Sequence, residues 1–275
     1  MTLLNDVVPA AAQPHALLAD APALTPAALA DLHRALAAAG APAAAIDAAM
    51  HVDRDGGPTA MDAAPARFSH TRGLRWLRLA FRAAGALSVD AQAHLGYRVL
   101  STPPRFARPR REQRLLAAAQ PFTVPYRDRA LRAWRWGTGP TVLLAHCWGG
   151  RGAQLAEFVE ALRVQGLSAV AFDAPGHGDS PGRRSDMIAV AESIAAVARA
   201  CGPLQGVIGH SLGGAASVLA MRDCGLVTPR LVSIGAFSHC LWFTEAFGRL
   251  VGMQPAAVAG MRALLSQRYS HRIDW

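Results

Sequence analysis

The sequence predicts an α/β fold, a mostly parallel sheet with helices on its faces. Three observations carry that prediction. From about residue 141 onward, short apolar runs alternate with helical stretches, the pattern of right-handed βαβ units. The runs TVLLAH (141–146), LSAVAFD (167–173) and LQGVIGH (204–210) are apolar almost throughout, as strands buried on both faces are. Unusual Gly-, His- and Ser-rich stretches fall at the carboxyl ends of these runs, where α/β sheets gather function.

The elements follow in chain order. FTVPY (122–126) and ALRAWRW (130–136) read as a hairpin turned by Arg127 and Asp128. After 141–146 a helix is predicted over about 153–164, then the strand 167–173. A helix over about 185–201 leads to the strand 204–210, and a helix over 212–223 to the strand RLVSIGAF (230–237). Two helices, about 240–251 and 255–268, follow. Upstream, residues 70–87 place arginines at helical spacing among Leu74, Trp76, Leu77, Leu79 and Phe81, and a second helix is predicted over 88–100. PPRFARPRRE (103–112) reads as a basic linker.

Residues 1–65 are rich in alanine and proline. One helix is predicted there, with Thr25 as N-cap, Pro26 in the first turn and Gly40 at the end. The expected organisation is therefore an N-terminal extension (1–65), either a helical appendage or a disordered tail. A basic helical segment (66–118) and an α/β core (119–275) with cap helices from about 238 complete it.

The 275 residues include 28 basic residues, all arginine, and the formal net charge is +9. Residues 1–60 hold two arginines and six aspartates; residues 61–275 hold 26 basic and 13 acidic residues. The abundance of alanine and the absence of lysine fit a GC-rich coding sequence, so arginine alone does not argue for nucleic acid, and no nucleic-acid-binding pattern is present. The helix 70–87 has two readings: a helix packed on its own domain with a solvated arginine stripe, or a peripheral contact with an anionic membrane surface. The cysteines Cys147, Cys201, Cys224 and Cys240 are scattered, so neither a disulfide framework nor a metal site is expected. With no signal-like or membrane-spanning run, a cytoplasmic location is the expectation.

The chemistry centres on GHSLGG (209–214). A serine on a sharp strand-to-helix turn needs very small residues two positions away on either side. Gly209 and Gly213 supply them, and Gly214 lets the helix pack closely. Ser211 then presents its hydroxyl, with the N–H of Leu212 and a helix N-terminus beside a developing oxyanion. AHCWGG (145–150) ends the neighbouring strand. Its Trp148 N–H is the second expected oxyanion donor, with Gly149 and Gly150 shaping the turn.

On these motifs the chain, over about 120–240, resembles the α/β-hydrolase family, its serine-nucleophile branch of bacterial esterases and lipases. His146, Trp148, Gly149 and Gly150 match the family's His-Gly-aromatic-Gly-Gly loop, from which Cys147 departs. DAPGHGDS (173–180) is similar to the family's strand-end loop, in which His177 shapes the pocket wall. His146, His177 and His210 are expected around the pocket. His210, just before the serine, points away from it. The resemblance implies attack by Ser211 on a carboxylic ester or thioester, without a cofactor. Leu241, Trp242, Phe243, Phe247 and Leu250 of the cap suggest an apolar acyl or aromatic substrate.

The resemblance also implies an acid and then a histidine after the serine, each on its own later strand. After the strand 230–237 stand only Glu245, Asp274, His239 and His271, none of them following a further strand. The chain thus reads as a hydrolase core ending before its last two strand–helix units. The alternative function is a silent hydrolase fragment or an interaction module. Neither substrate nor oligomeric state is fixed by the sequence.

Overall fold

A computed structural model describes residues 72–269. The expected N-terminal extension, His271 and Asp274 lie outside the described residues.

Two helices open the described region, α1 (Arg72–Leu87) and α2 (Val89–Leu100). Ser88 separates them in extended backbone and caps α2, its hydroxyl accepting the Ala91 N–H at 2.9 Å. The predicted linker 103–112 is irregular through Pro109, but its last three residues open a third helix, α3 (Arg110–Ala117). Pro109 stands at its N-cap, so the proline there starts a helix and does not bar one. Tertiary partners hold this short helix: Glu112 pairs with Arg151, and the Leu115 carbonyl accepts the Trp136 indole N–H at 3.0 Å.

The sheet has six strands in the order β1-β2-β4-β3-β5-β6. They are β1 (Gln120–Tyr126), β2 (Arg129–Trp136), β3 (Thr141–Ala145), β4 (Ser168–Phe172), β5 (Leu204–His210) and β6 (Leu231–Ile234). β1 and β2 form the expected hairpin, and β2 joins β4 antiparallel. β4, β3, β5 and β6 are mutually parallel. β3 and β4 are buried at every position, which is why their sequences do not alternate.

Helices cover the sheet. A 3₁₀ segment (Gly152–Phe158) running into α4 (Val159–Val164) replaces the single helix predicted there. It packs against Trp134, Val142 and Leu144. On the other face lie α5 (Met187–Cys201), capped by the Asp186 carboxylate, and α6 (Leu212–Asp223). Their Ile194, Val197, Ala216 and Leu219 pack onto Leu143, Val170 and Val207. The chain continues through α7 (Cys240–Val251) and α8 (Pro255–Tyr269). α8 packs along α2, and α7 meets α1 through Phe81 and Phe247, whose rings meet edge to face at 6.2 Å.

β6 ends at Ile234, earlier than predicted, because Gly235 turns the chain at φ +57°. Among the described strands it pairs with β5 alone, and its Val232 (51%) and Ile234 (37%) are exposed. No described helix is long and apolar enough to cross a membrane.

Candidate active site

The site grows from the register of β3 against β5. Ala145 is the partner of Gly209, so both strands end at the same level. The loop after β3 therefore leaves the sheet beside the turn that carries Ser211.

Ser211 has φ +51° and ψ −117°, one of two non-glycine residues with positive φ among those described. Its backbone is fixed on both sides: its N–H donates to the Ile234 carbonyl at 2.8 Å, and its carbonyl accepts the Gly214 N–H at 3.0 Å. The neighbouring glycines are required by space. A Cβ on Gly209 would lie 2.6 Å from Gly214, and one on Gly213 would lie 2.2 Å from the Ala145 carbonyl oxygen. One on Gly214 would meet Ser233 Oγ at 2.5 Å. The strand and the helix thus cross with backbone touching backbone. The Ser211 hydroxyl makes no capping bond into α6, and the Leu212 N–H precedes the first intrahelical bond of that helix.

The loop after β3 is closed by the Gly150 N–H, which donates to the Cys147 carbonyl at 3.0 Å. That carbonyl also accepts His146 Nδ1–H at 2.7 Å. Gly149 takes φ +67° beside Pro104, and a Cβ on Gly150 would sit 2.9 Å from the Cys147 oxygen. Cys147 keeps an ordinary negative φ, so its Cβ fits the turn without backbone strain. Burial pushes its thiol pKa up.

Two of the three expected pocket histidines, His146 and His177, are struts beneath this loop. His146 Nε2 accepts the Ala174 N–H at 2.9 Å, which ties the β3 loop to the β4 loop and fixes the proton on Nδ1. Burial lowers its pKa to about 4, against the opposing pull of the Cys147 carbonyl. His177 Nδ1–H donates to the Pro175 carbonyl at 3.0 Å, and its ring lies 5.0 Å from both His146 and Trp148. Burial, and then the neighbouring His146, lower its pKa to about 3. Its Nε2 is buried without a partner among the described residues. His210 is exposed at the end of β5, and His239 is exposed at the N-cap of α7, bonded to Ser238. No described histidine hydrogen-bonds to Ser211.

Sequence reasoning missed Asp173, the fixture of the β4 loop. Its Oδ1 accepts the Gly152 N–H at 2.8 Å and its Oδ2 the Asp179 N–H at 2.7 Å. Burial raises this carboxyl to about 6, while those donors and Arg108 pull it back. Gly178 approaches so closely that a Cβ would fall on the carboxylate. Arg105 binds the same loop through the carbonyls of Gly176, Ser180 and Gly182. An aspartate at the end of a buried strand, before a glycine-rich turn, was the available signal.

Beside the elbow lies a small apolar cavity of about 60 Å³. Trp148 and Leu212 form one wall. Met187, Phe237, Cys240 and Phe243 form another, and Leu100 and Leu265 reach in from α2 and α8. Phe237 and Phe243 stack at 5.0 Å. The cap residues are thus apolar where they face the elbow, while His146, His177 and His210 are not among its lining. No described cluster of His, Cys, Asp and Glu has the makings of a metal site.

Comparison with known proteins agrees with this architecture. Residues 140–247 match the family model described as the alpha/beta hydrolase fold. No curated protein matches. Among solved structures, an esterase from Pyrococcus furiosus is 18% identical, with 59% of this chain and 68% of that chain covered and a TM-score of 0.46. A monoacylglycerol lipase from Paleococcus ferrophilus is 25% identical (43% and 51% covered, TM-score 0.37). The thioesterase domain from the curacin biosynthetic pathway is 23% identical (42% and 43% covered, TM-score 0.37). The chain spans about half the length of the latter two. From β3 through the glycine-flanked serine to α7, over residues 140–247, the chain matches the α/β-hydrolase fold.

Proposed function

We propose that this protein is a serine hydrolase of carboxylic esters or thioesters, with Ser211 as nucleophile. The observation that carries the reading is the Ser211 backbone, held at φ +51° between three glycines that have no room for a Cβ. A non-glycine residue in that region is strained, and such strain gathers at functional sites. In this reading Ser211 Oγ attacks the carbonyl carbon. The N–H groups of Leu212 and Trp148, with the N-terminus of α6, take the negative charge of the tetrahedral intermediate. Collapse of that intermediate expels the alcohol or thiol and leaves an acyl-serine, which water hydrolyses. The apolar cavity against Trp148, Leu212 and Phe243 suits an apolar acyl or aromatic group.

A second reading has its own observation. None of the five described histidines hydrogen-bonds to Ser211, and His146 has both ring nitrogens committed to the backbone. A serine without a base is a weak nucleophile. That favours a silent hydrolase core or an interaction module.

Reaction with a fluorophosphonate separates the two readings. The hydrolase reading expects a covalent adduct mapped to Ser211 and none on Ser211→Gly. The same variant should be more stable by about 1 kcal/mol in urea unfolding, because glycine adopts this conformation freely. A Ser211 that stays unmodified while an intact serine hydrolase reacts fully would establish the silent reading.

A further inference from the structure

We propose that the outer face of α1 is a docking surface for an anionic lipid bilayer. The helix divides into three sectors. Leu74, Leu77, Phe81 and Ala84 turn inward, with Phe81 wholly buried. Next to them runs a basic row, Arg75, Arg78 and Arg82. The third sector faces outward and is apolar: Trp76 is 71% exposed, Leu79 52% and Leu87 82%, with exposed Ala80 and Ala83 between them. A helix of a water-facing domain carries polar residues on that side. Here the 16 residues contain no acidic side chain, and every charged residue among them is an arginine.

This composition selects among partners. Trp76 and Leu79 share a groove of about 600 Å³ with Arg75, Arg78 and Arg82, so apolar and cationic groups meet at one level. A bilayer interface offers both complements at that spacing: acyl chain below, phosphate above. Duplex nucleic acid has charge for the arginines but nothing for three exposed apolar side chains. The field agrees, since residues 61–275 carry 26 basic against 13 acidic residues.

The helix is also fixed in a defined place. Arg78 Nε donates to the Leu250 carbonyl at 2.8 Å, and Phe81 packs on Phe247. Both partners belong to α7, whose Cys240 and Phe243 line the cavity beside Ser211. Docking through α1 therefore holds the cap against the membrane side. The value of that placement for an apolar ester rests on the hydrolase reading; lipid binding itself does not involve Ser211.

The test is co-sedimentation of the full chain with sucrose-loaded vesicles at about 50 mM salt, where surface charge is weakly screened. Equimolar phosphatidylcholine and phosphatidylglycerol should bind it at least tenfold better than phosphatidylcholine alone. The double variant Trp76→Glu and Leu79→Glu should lose at least tenfold in partitioning and keep its thermal midpoint, since both side chains are exposed. Arg75→Gln with Arg82→Gln should lose several-fold and most of the salt dependence. Three results would overturn the proposal: no binding of the full chain, including through occupation of the face by another part of it; unaltered binding of the glutamate variant; or tight binding to duplex DNA that the arginine variant loses and the glutamate variant retains. Labelling of Ser211 by fluorophosphonate is measured without lipid, so either proposal can fail alone.

Discussion

Gly213 and Ala145 stand so close that a Cβ on the glycine would come within 2.2 Å of the Ala145 carbonyl oxygen. This contact joins the elbow to the end of β3, the strand from which the Trp148 loop departs. Neither backbone can yield without moving the serine relative to that loop. Gly213→Ala should therefore destabilise the protein by about 3 kcal/mol in urea unfolding, as overpacking at a rigid site does. A loss below about 0.5 kcal/mol would show that the two backbones separate easily.

Acid should destabilise the fold through its buried histidines. His146 and His177 titrate near 4 and 3 in the folded protein, against 6.5 for a free imidazole. Below about pH 6.5 the unfolded chain takes up two protons that the folded one refuses, so stability falls with falling pH. Asp173 works in the opposite sense, because its folded value is raised to about 6 and it binds a proton first in the native state. Two groups against one leave about one net proton taken up on unfolding near pH 5. The thermal midpoint should drop between pH 7 and 5. His177→Asn keeps a donor for the Pro175 carbonyl and should flatten that drop. An unchanged slope in this variant would mean that His177 is not held neutral.

Arg151 and Glu112 form a paired, nearly buried bridge between the glycine loop and α3, with side-chain exposures of 7% and 13%. Both carboxylate oxygens are engaged, Oε1 by Nη2 at 2.9 Å. Arg151→Met leaves Glu112 as an uncompensated charge and should cost about 3 kcal/mol. The double variant Arg151→Met and Glu112→Leu should recover much of that loss. Additive losses in this double-mutant cycle would show that the pair does not act as a unit.

The elbow was legible because its constraints are local. A serine between glycines, after an apolar strand and before an apolar helix, states its own geometry, and the strand–helix order follows from periodicity over five to fifteen residues. α3 was not legible: PRRE reads as a linker until Glu112 finds Arg151 and Trp136 finds the Leu115 carbonyl, both partners distant in sequence. The histidines were legible as a cluster only. That His146 braces two loops from within, and that His177 is wholly enclosed, depends on β3 and β4 ending side by side.

By itself, then, the sequence determined the α/β alternation, the parallel buried strands and the position of Ser211, because periodicity and glycine sterics act between near neighbours. Tertiary structure alone decided that Asp173 anchors the β4 loop, that Trp148 and Phe243 enclose one apolar cavity, and that α1 turns Trp76 and Leu79 outward. Each of these depends on which surfaces meet when the sheet and helices pack, and burial, charge compensation and exposure are set only at that step.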